Sequence, residues 1–187
     1  MPKSKLRPED WIRAALEAIA ESGISGVAVE ALALRVGASK GSFYWHFSDR
    51  GALIAAAMHV WEETRTNAAI RELQAVDDPR DRLQKLLANT FRNAAAGRLE
   101  LALALDSSHP MVGPVVRRVT SRRLAFLTEA FGDLGFGKPG ARRRAVAMYS
   151  MHLGLLALRE ASRSAVRGRH GALHTYMSDL LDVVGPE

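Results

Sequence analysis

Apolar residues recur along this chain at helical spacing and almost nowhere at strand spacing. Ile12, Leu16 and Ile19 fall at i, i+4 and i+7. Val29, Leu32, Ala33 and Val36 repeat the pattern, and so do Leu83, Leu86, Leu87, Thr90, Phe91 and Ala94. Leu173, Tyr176, Met177, Leu180, Leu181 and Val184 form a last stripe. Runs rich in Val, Ile and Thr between turn residues do not occur. Helices that are apolar on one side, with no sheet to cover, bury that side against one another. The expected fold is therefore all-α, with about nine helices in the 187 residues.

Punctuation residues give the expected spans. Pro8, with Glu9 and Asp10 behind it, opens a helix over 8–22 that Gly23 stops. A short helix over 29–36 ends at Gly37. Ser39 caps another over 40–47, and Ser48 or Asp49 caps a fourth that runs to about residue 76. Asp77-Asp78-Pro79 breaks the chain. Further helices are expected over 79–96 (closed by Gly97), 99–105, 111–131, 141–166 and 172–184. The natural division is a three-helix unit, a connecting helix and a larger bundle.

Several function classes drop out. With no cysteine, disulfides, thiolate zinc sites and thiol catalysis are excluded. The longest nearly apolar stretch, Ala145–Leu158, has 14 residues, whereas a membrane span needs about 20. The basic N-terminus lacks an apolar segment behind it, so a cytoplasmic location is expected. The glycines of 135–140 fit GxGxxG but follow no strand, and a helix–helix loop is expected. His170 and His174 have no third ligand nearby, so no metal site is expected. Asp106, Ser107 and His109 sit at a helix end with no nucleophile turn. The chain is not read as an enzyme, and no cofactor is expected.

Net charge is +6, which suggests a polyanionic partner. Its distribution points away from the N-terminus: residues 1–50 carry +1, 51–97 none, 98–170 +8 and 171–187 −3. A case for nucleic-acid binding near the N-terminus must rest on a motif. The second and third helices supply one. Two short helices joined by a tight turn containing Gly37 make a helix-turn-helix, whose second helix enters a DNA major groove. Ser39, Lys40, Gly41 and Ser42 open that helix, with a cation, exposed N–H groups and room for close approach. Four of the 12 aromatic residues then fall within 43–47. Phe43 and Phe47, at i and i+4, are the core pair. Tyr44 and Trp45 point outward, where large aromatics need a partner such as a DNA backbone or a thymine methyl. His46 can donate to a phosphate.

The run Ala38-Ser39-Lys40-Gly41-Ser42-Phe43-Tyr44-Trp45-His46-Phe47, with Asp49-Arg50-Gly51-Ala52-Leu53 behind it, resembles the signature of the TetR family of bacterial transcriptional repressors. The likeness covers about residues 7–62; beyond them only the architecture agrees. It implies a helix-turn-helix DNA-binding domain over 5–65 and a ligand-binding and dimerisation domain over 66–187. It places Ser39, Lys40, Gly41, Ser42, Tyr44, Trp45 and His46 on DNA. Arg50 keeps a charge the family has there, and Lys5 in the basic tail can touch phosphates. Two residues depart from the pattern: Ala28 stands where Ser or Thr often caps the second helix, and Gly51 weakens the first turn of the fourth.

The same resemblance implies a small-molecule effector of unidentified kind. Trp61, Arg65, Phe91, Asp106, His109, Phe126, Met148 and His152 are the candidate lining. It also implies a homodimer through the last two helices, with Leu155, Leu173, Tyr176, Met177, Leu180 and Leu181 at the interface. The dimer would bind a pseudo-palindromic duplex operator and leave it when the effector binds. The alternatives are a helical dimer whose helix-turn-helix contacts protein, and an architectural DNA binder without an effector. The Arg clusters 117, 118, 122, 123 and 142–144 are read as solvated faces.

Overall fold

The structure is a computed structural model that describes residues 6–91 and 94–162, with backbone only for 90, 91, 94 and 95. Lys5, the side chain of Phe91 and the expected last helix with Leu173, Tyr176, Met177, Leu180 and Leu181 lie outside the described residues. Every regular element among those described is helical. The elements are α1 (Pro8–Ser22), α2 (Val29–Arg35), α3 (Lys40–Tyr44), α4 (Arg50–Glu62), α5 (Ala68–Gln74), α6 (Pro79–Phe91), α7 (Ala94–Leu105), α8 (Gly113–Asp133) and α9 (Lys138–Ala161). A π-helical segment, Glu63–Asn67, joins α4 to α5. There the Thr64 hydroxyl donates to the Val60 carbonyl at 2.7 Å, a side-chain bond that competes with the backbone ladder.

The chain forms two compact units. The first comprises residues 1–65 and 98–117, and the second 66–97 and 118–187. In the first, α1 packs on α4 and on α2, and α2 packs on α3. Trp11, Ala15, Ile19, Val27, Leu32, Phe43, Leu53 and Ile54 are the buried centre. The Trp11 and Phe43 rings meet edge to face at 5.4 Å, and Phe43 stacks on Phe47 at 5.7 Å. The buried face of α1 is rotated from the expected one. Trp11, Ala14, Ala15, Ala18 and Ile19 face inward, while Ile12 and Leu16 lie at the margin. The ring of Trp11 claims the centre, and the small alanines let α4 approach.

The second unit is built on Ile70 and Leu73 of α5, Leu83 and Leu87 of α6, Phe126, Leu127, Ala130 and Phe131 of α8, and Ala141, Ala145 and Met148 of α9. Arg82 ties its edge, donating to Asp133 at 2.8 Å and to the Val76 carbonyl.

Several expected boundaries move: the third helix ends at Tyr44, the expected fourth is divided into α4, the π segment and α5, and α9 ends at Ala161. Gly97 does not close a helix; it lies inside α7, where a Cβ would come within 2.7 Å of a Leu156 methyl. A glycine buried against another helix looks the same in sequence as one that ends a helix. Helix α9 begins at Lys138 with Pro139 in its first turn, three residues earlier than expected. Arg142–Arg144 therefore sit beyond the first turn, away from the positive end of the helix dipole. Arg144 lies over the Phe136 ring at 3.8 Å, and Arg123 donates to Thr66 at 3.1 Å.

Candidate nucleic-acid interface

The helix-turn-helix is set by four local devices. The chain leaves α1 through Gly23, whose φ of +68° suits glycine, and whose N–H bonds to the Ile19 carbonyl at 2.8 Å. It leaves α2 through Gly37, also at φ +68°. The Ser39 hydroxyl accepts from the Ser42 N–H at 3.2 Å and starts α3, and an Asp49 carboxylate oxygen accepts from the Ala52 N–H at 2.8 Å and starts α4. Ala28 gives α2 no side-chain cap, as the residue type requires.

Helix α3 has five residues, with the chain turning at 45–46 before Phe47. Phe43 is fully buried and Phe47 nearly so, while Tyr44 is 52% and Trp45 89% exposed. The i, i+4 reasoning about this aromatic run therefore holds in the fold. Ser39, Lys40 and Gly41 are exposed, and Ser42 and His46 half-buried. Five residues make a weak dipole, so attraction for an anion at this end of α3 falls to Lys40.

Arg50 is placed differently from the expectation. Its guanidinium turns inward, Nε donating to the Val27 carbonyl at 2.5 Å and a terminal nitrogen to the Ile24 carbonyl at 2.6 Å. These two bonds hold the loop between α1 and α2. The same residue is gripped at its other backbone group: Asp106 accepts from the Ile24 N–H at 2.6 Å. A Cβ on Gly23 would stand 2.9 Å from that carboxylate. Asp106, expected in a ligand pocket, is thus bonded to the loop that leads into α2.

Lys40 carries a feature the motif did not announce. Its ammonium donates to Glu30 Oε1 of α2 at 2.5 Å, with both side chains more than half exposed. That hydrogen bond holds the Glu30 carboxyl below the ordinary carboxylate value and raises the Lys40 ammonium. Arg35, on another face of α2, pairs with Glu21 of α1. Leu34, between them, is 84% exposed, the largest apolar exposure in the head besides Trp45.

Residues 12–57 match the bacterial regulatory proteins, tetR family. The chain is 31% identical over 164 residues to the HTH-type transcriptional regulator BetI of Stenotrophomonas maltophilia, covering 83% of each. The chain belongs to the TetR family. It is a DNA-binding transcriptional regulator. Among solved structures, a Rhodococcus transcriptional regulator shares the fold with a TM-score of 0.75 at 23% identity, over 95% of this chain and 97% of that one. A putative regulator from Saccharomonospora viridis, solved in complex with choline, shares it with a TM-score of 0.75 at 15% identity, over 94% and 95%.

The residues expected to line a TetR-type effector pocket are divided between the two units. Trp61 is buried and Arg65 exposed on the first unit. In that unit too, Asp106 holds the Ile24 N–H, and the His109 Nδ1 accepts from the Met111 N–H at 3.2 Å. Phe126 and Met148 belong to the core of the second unit, and His152, one turn after Met148, stacks on Tyr149 at 6.0 Å. Leu155 packs against that same core rather than facing away from it. No helix among the described residues is long and apolar enough to cross a membrane.

Proposed function

We propose that this regulator is a homodimeric repressor that binds a pseudo-palindromic operator in the cytoplasm and is released by a small-molecule effector. Residues 5–65 read the DNA, and 66–187 supply dimerisation and effector binding, with 98–117 packed in the same unit as the reading head. The observation that carries the reading is the pair Tyr44 and Trp45. They are exposed directly beside a buried Phe43, on a helix opened by Ser39, Lys40, Gly41 and Ser42. Tyr44 and Trp45 contact bases and backbone, while Ser39, Lys40, Ser42 and His46 bind phosphates and Gly41 admits the backbone closely. Lys5 adds a phosphate contact from the tail. Arg50 supports the loop that seats α2 instead of reaching the duplex.

One short helix spans only a few base pairs, so two heads in successive major grooves are needed, about 34–36 Å apart or a multiple of this. The dimer face on α9 is the stripe Val146, Ser150, Gly154, Ala157 and Leu158, which is exposed along the helix. A Cβ at Gly154 would meet nothing, which leaves room for a second helix to approach. The stripe lies one residue away from Leu155. The last helix, with Leu173, Tyr176, Met177, Leu180 and Leu181, would complete the interface. Phe126, Met148 and His152 are the side chains proposed for the effector.

Selection of duplexes from a random pool by the full chain tests the reading. It should return an inverted repeat, and Tyr44→Ala should lose it with the thermal midpoint unchanged. Val146→Glu with Leu158→Glu should sediment as a monomer. Recovery of single, unrepeated half-sites would refute the dimeric mode. Choline is the first compound to test for release.

A further inference from the structure

We propose that Glu30 competes inside the protein with DNA phosphate for the Lys40 ammonium, and thereby lowers the affinity of the head for DNA that is not its operator. The inference rests on the reading of α3 as the DNA-facing helix.

The pair is placed where such competition is unavoidable. Lys40 is the first residue of α3, and Glu30 lies in the first turn of α2, so the carboxylate stands beside the end of α3 that meets the duplex. Exposure of both groups, 54% for Lys40 and 67% for Glu30, means a phosphate oxygen can reach the ammonium without unfolding anything. The ammonium keeps two further N–H donors, but the Glu30 carboxylate neutralises its charge and repels a phosphate brought beside it, so a full phosphate contact draws Lys40 away from Glu30.

The charge inventory of the head makes this exchange count. Of the five basic residues between 6 and 50, Arg13 is bonded to Asp10, Arg35 to Glu21, Lys40 to Glu30 and Arg50 to two carbonyls. Residues 1–50 together carry only +1. Non-specific DNA binding draws its free energy almost wholly from phosphates neutralised and counterions released. A head in which three of these five cations are held by its own acids and a fourth by carbonyls gains less of it. When Lys40 moves to a phosphate, Glu30 is left beside the polyanion and takes up a cation, which offsets the counterion released. Glu30 therefore lowers affinity for DNA without touching a base.

The test uses the full chain with an operator duplex from the random-pool selection and a scrambled duplex of equal length. Affinities are measured between about 50 and 200 mM salt. Glu30→Gln keeps the shape and removes the charge. Its affinity for the scrambled duplex should rise by about 1.4- to 5-fold per head, the range of an exposed ion pair. Its salt dependence should steepen by up to about 0.9 per head. In a Lys40→Gln background the same substitution should give no gain. Glu30→Ala repeats the measurement should Glu30→Gln fold poorly.

Unchanged or weaker scrambled-duplex binding by a folded Glu30 variant would overturn the proposal and make the pair a structural link between α2 and α3. An equal gain in the Lys40→Gln background would also overturn it, because Glu30 would then act by general repulsion. Tyr44→Ala on the same duplexes separates the two levels. If it keeps operator selectivity, the reading of α3 fails; if it loses selectivity while Glu30→Gln gains nothing, only the competition fails.

Discussion

Replacing Asp106 with alanine should loosen the reading head although residue 106 is far from α3 in sequence. The carboxylate of Asp106 accepts the Ile24 N–H at 2.6 Å, a charged acceptor on a half-buried amide. Ile24 is itself buried, so that amide has little water to turn to. Hydrogen bonds to charged groups contribute about 1.5–3 kcal/mol, and loss of the acceptor leaves the donor unsatisfied, at similar cost. At about 2–4 °C per kcal/mol for a chain of this size, Asp106→Ala should lower the thermal midpoint by about 3–12 °C. Asp106→Asn keeps an oxygen in place without its charge and should fall between the two.

The second readout is DNA binding. Ile24 begins the turn that leads into α2, and Arg50 holds its carbonyl while Asp106 holds its N–H. Releasing one side frees the orientation of α2, so operator affinity should fall even where the protein remains folded. Differential scanning calorimetry and an operator titration, both on the full chain, check the two effects. A midpoint within about 1 °C of the wild type would refute the reasoning, since that is below the smallest effect the bond can have.

Arg50→Gln should destabilise by about 1.5–3 kcal/mol in urea unfolding, with the salt slope of DNA binding unchanged, because its bonds go to the protein's own carbonyls. Gly113→Ala should cost about 1–3 kcal/mol or more, since its Cβ would stand 2.2 Å from the Ser107 carbonyl oxygen, which is backbone and cannot swing aside. Gly97→Ala meets only a leucine methyl, and the roughly 1 kcal/mol gain in helix propensity should hold its unfolding midpoint near the wild type. The carboxyl of Asp10 is held below its ordinary value of 3.8, chiefly by the Arg7 N–H, so its contribution is full above that pH and lost as pH falls through the lowered value. Unfolding curves of Asp10→Asn and wild type should therefore differ at neutral pH and converge in acid.

Partners close in sequence were legible, and partners far away were not. Phe43 and Phe47 lie four apart, so helical geometry alone assigned their face and left Tyr44 and Trp45 outside it. Ser39 and Asp49 cap within three residues, and both caps are present. Nothing within one helical turn marks Trp11; the edge contact with Phe43 that buries it spans more than thirty positions. Gly97 reads as a stop because its reason for being glycine is Leu156, on another helix.

The cations show the same divide with a functional consequence. A basic residue in a helix-turn-helix reads as a phosphate contact, since its charge is visible and its partner is not. Arg50 has its partners 23 and 26 residues away, and Lys40 has Glu30 ten away. For Arg50 the internal bonds go to half-buried backbone oxygens, so a phosphate would have to displace two hydrogen bonds and leave two carbonyls unpaired. For Lys40 the partner is an exposed carboxylate that can return to water, so the cost of leaving it is about 1 kcal/mol or less. The motif is equally consistent with both residues on DNA, but leaving the internal partners costs Lys40 less than Arg50.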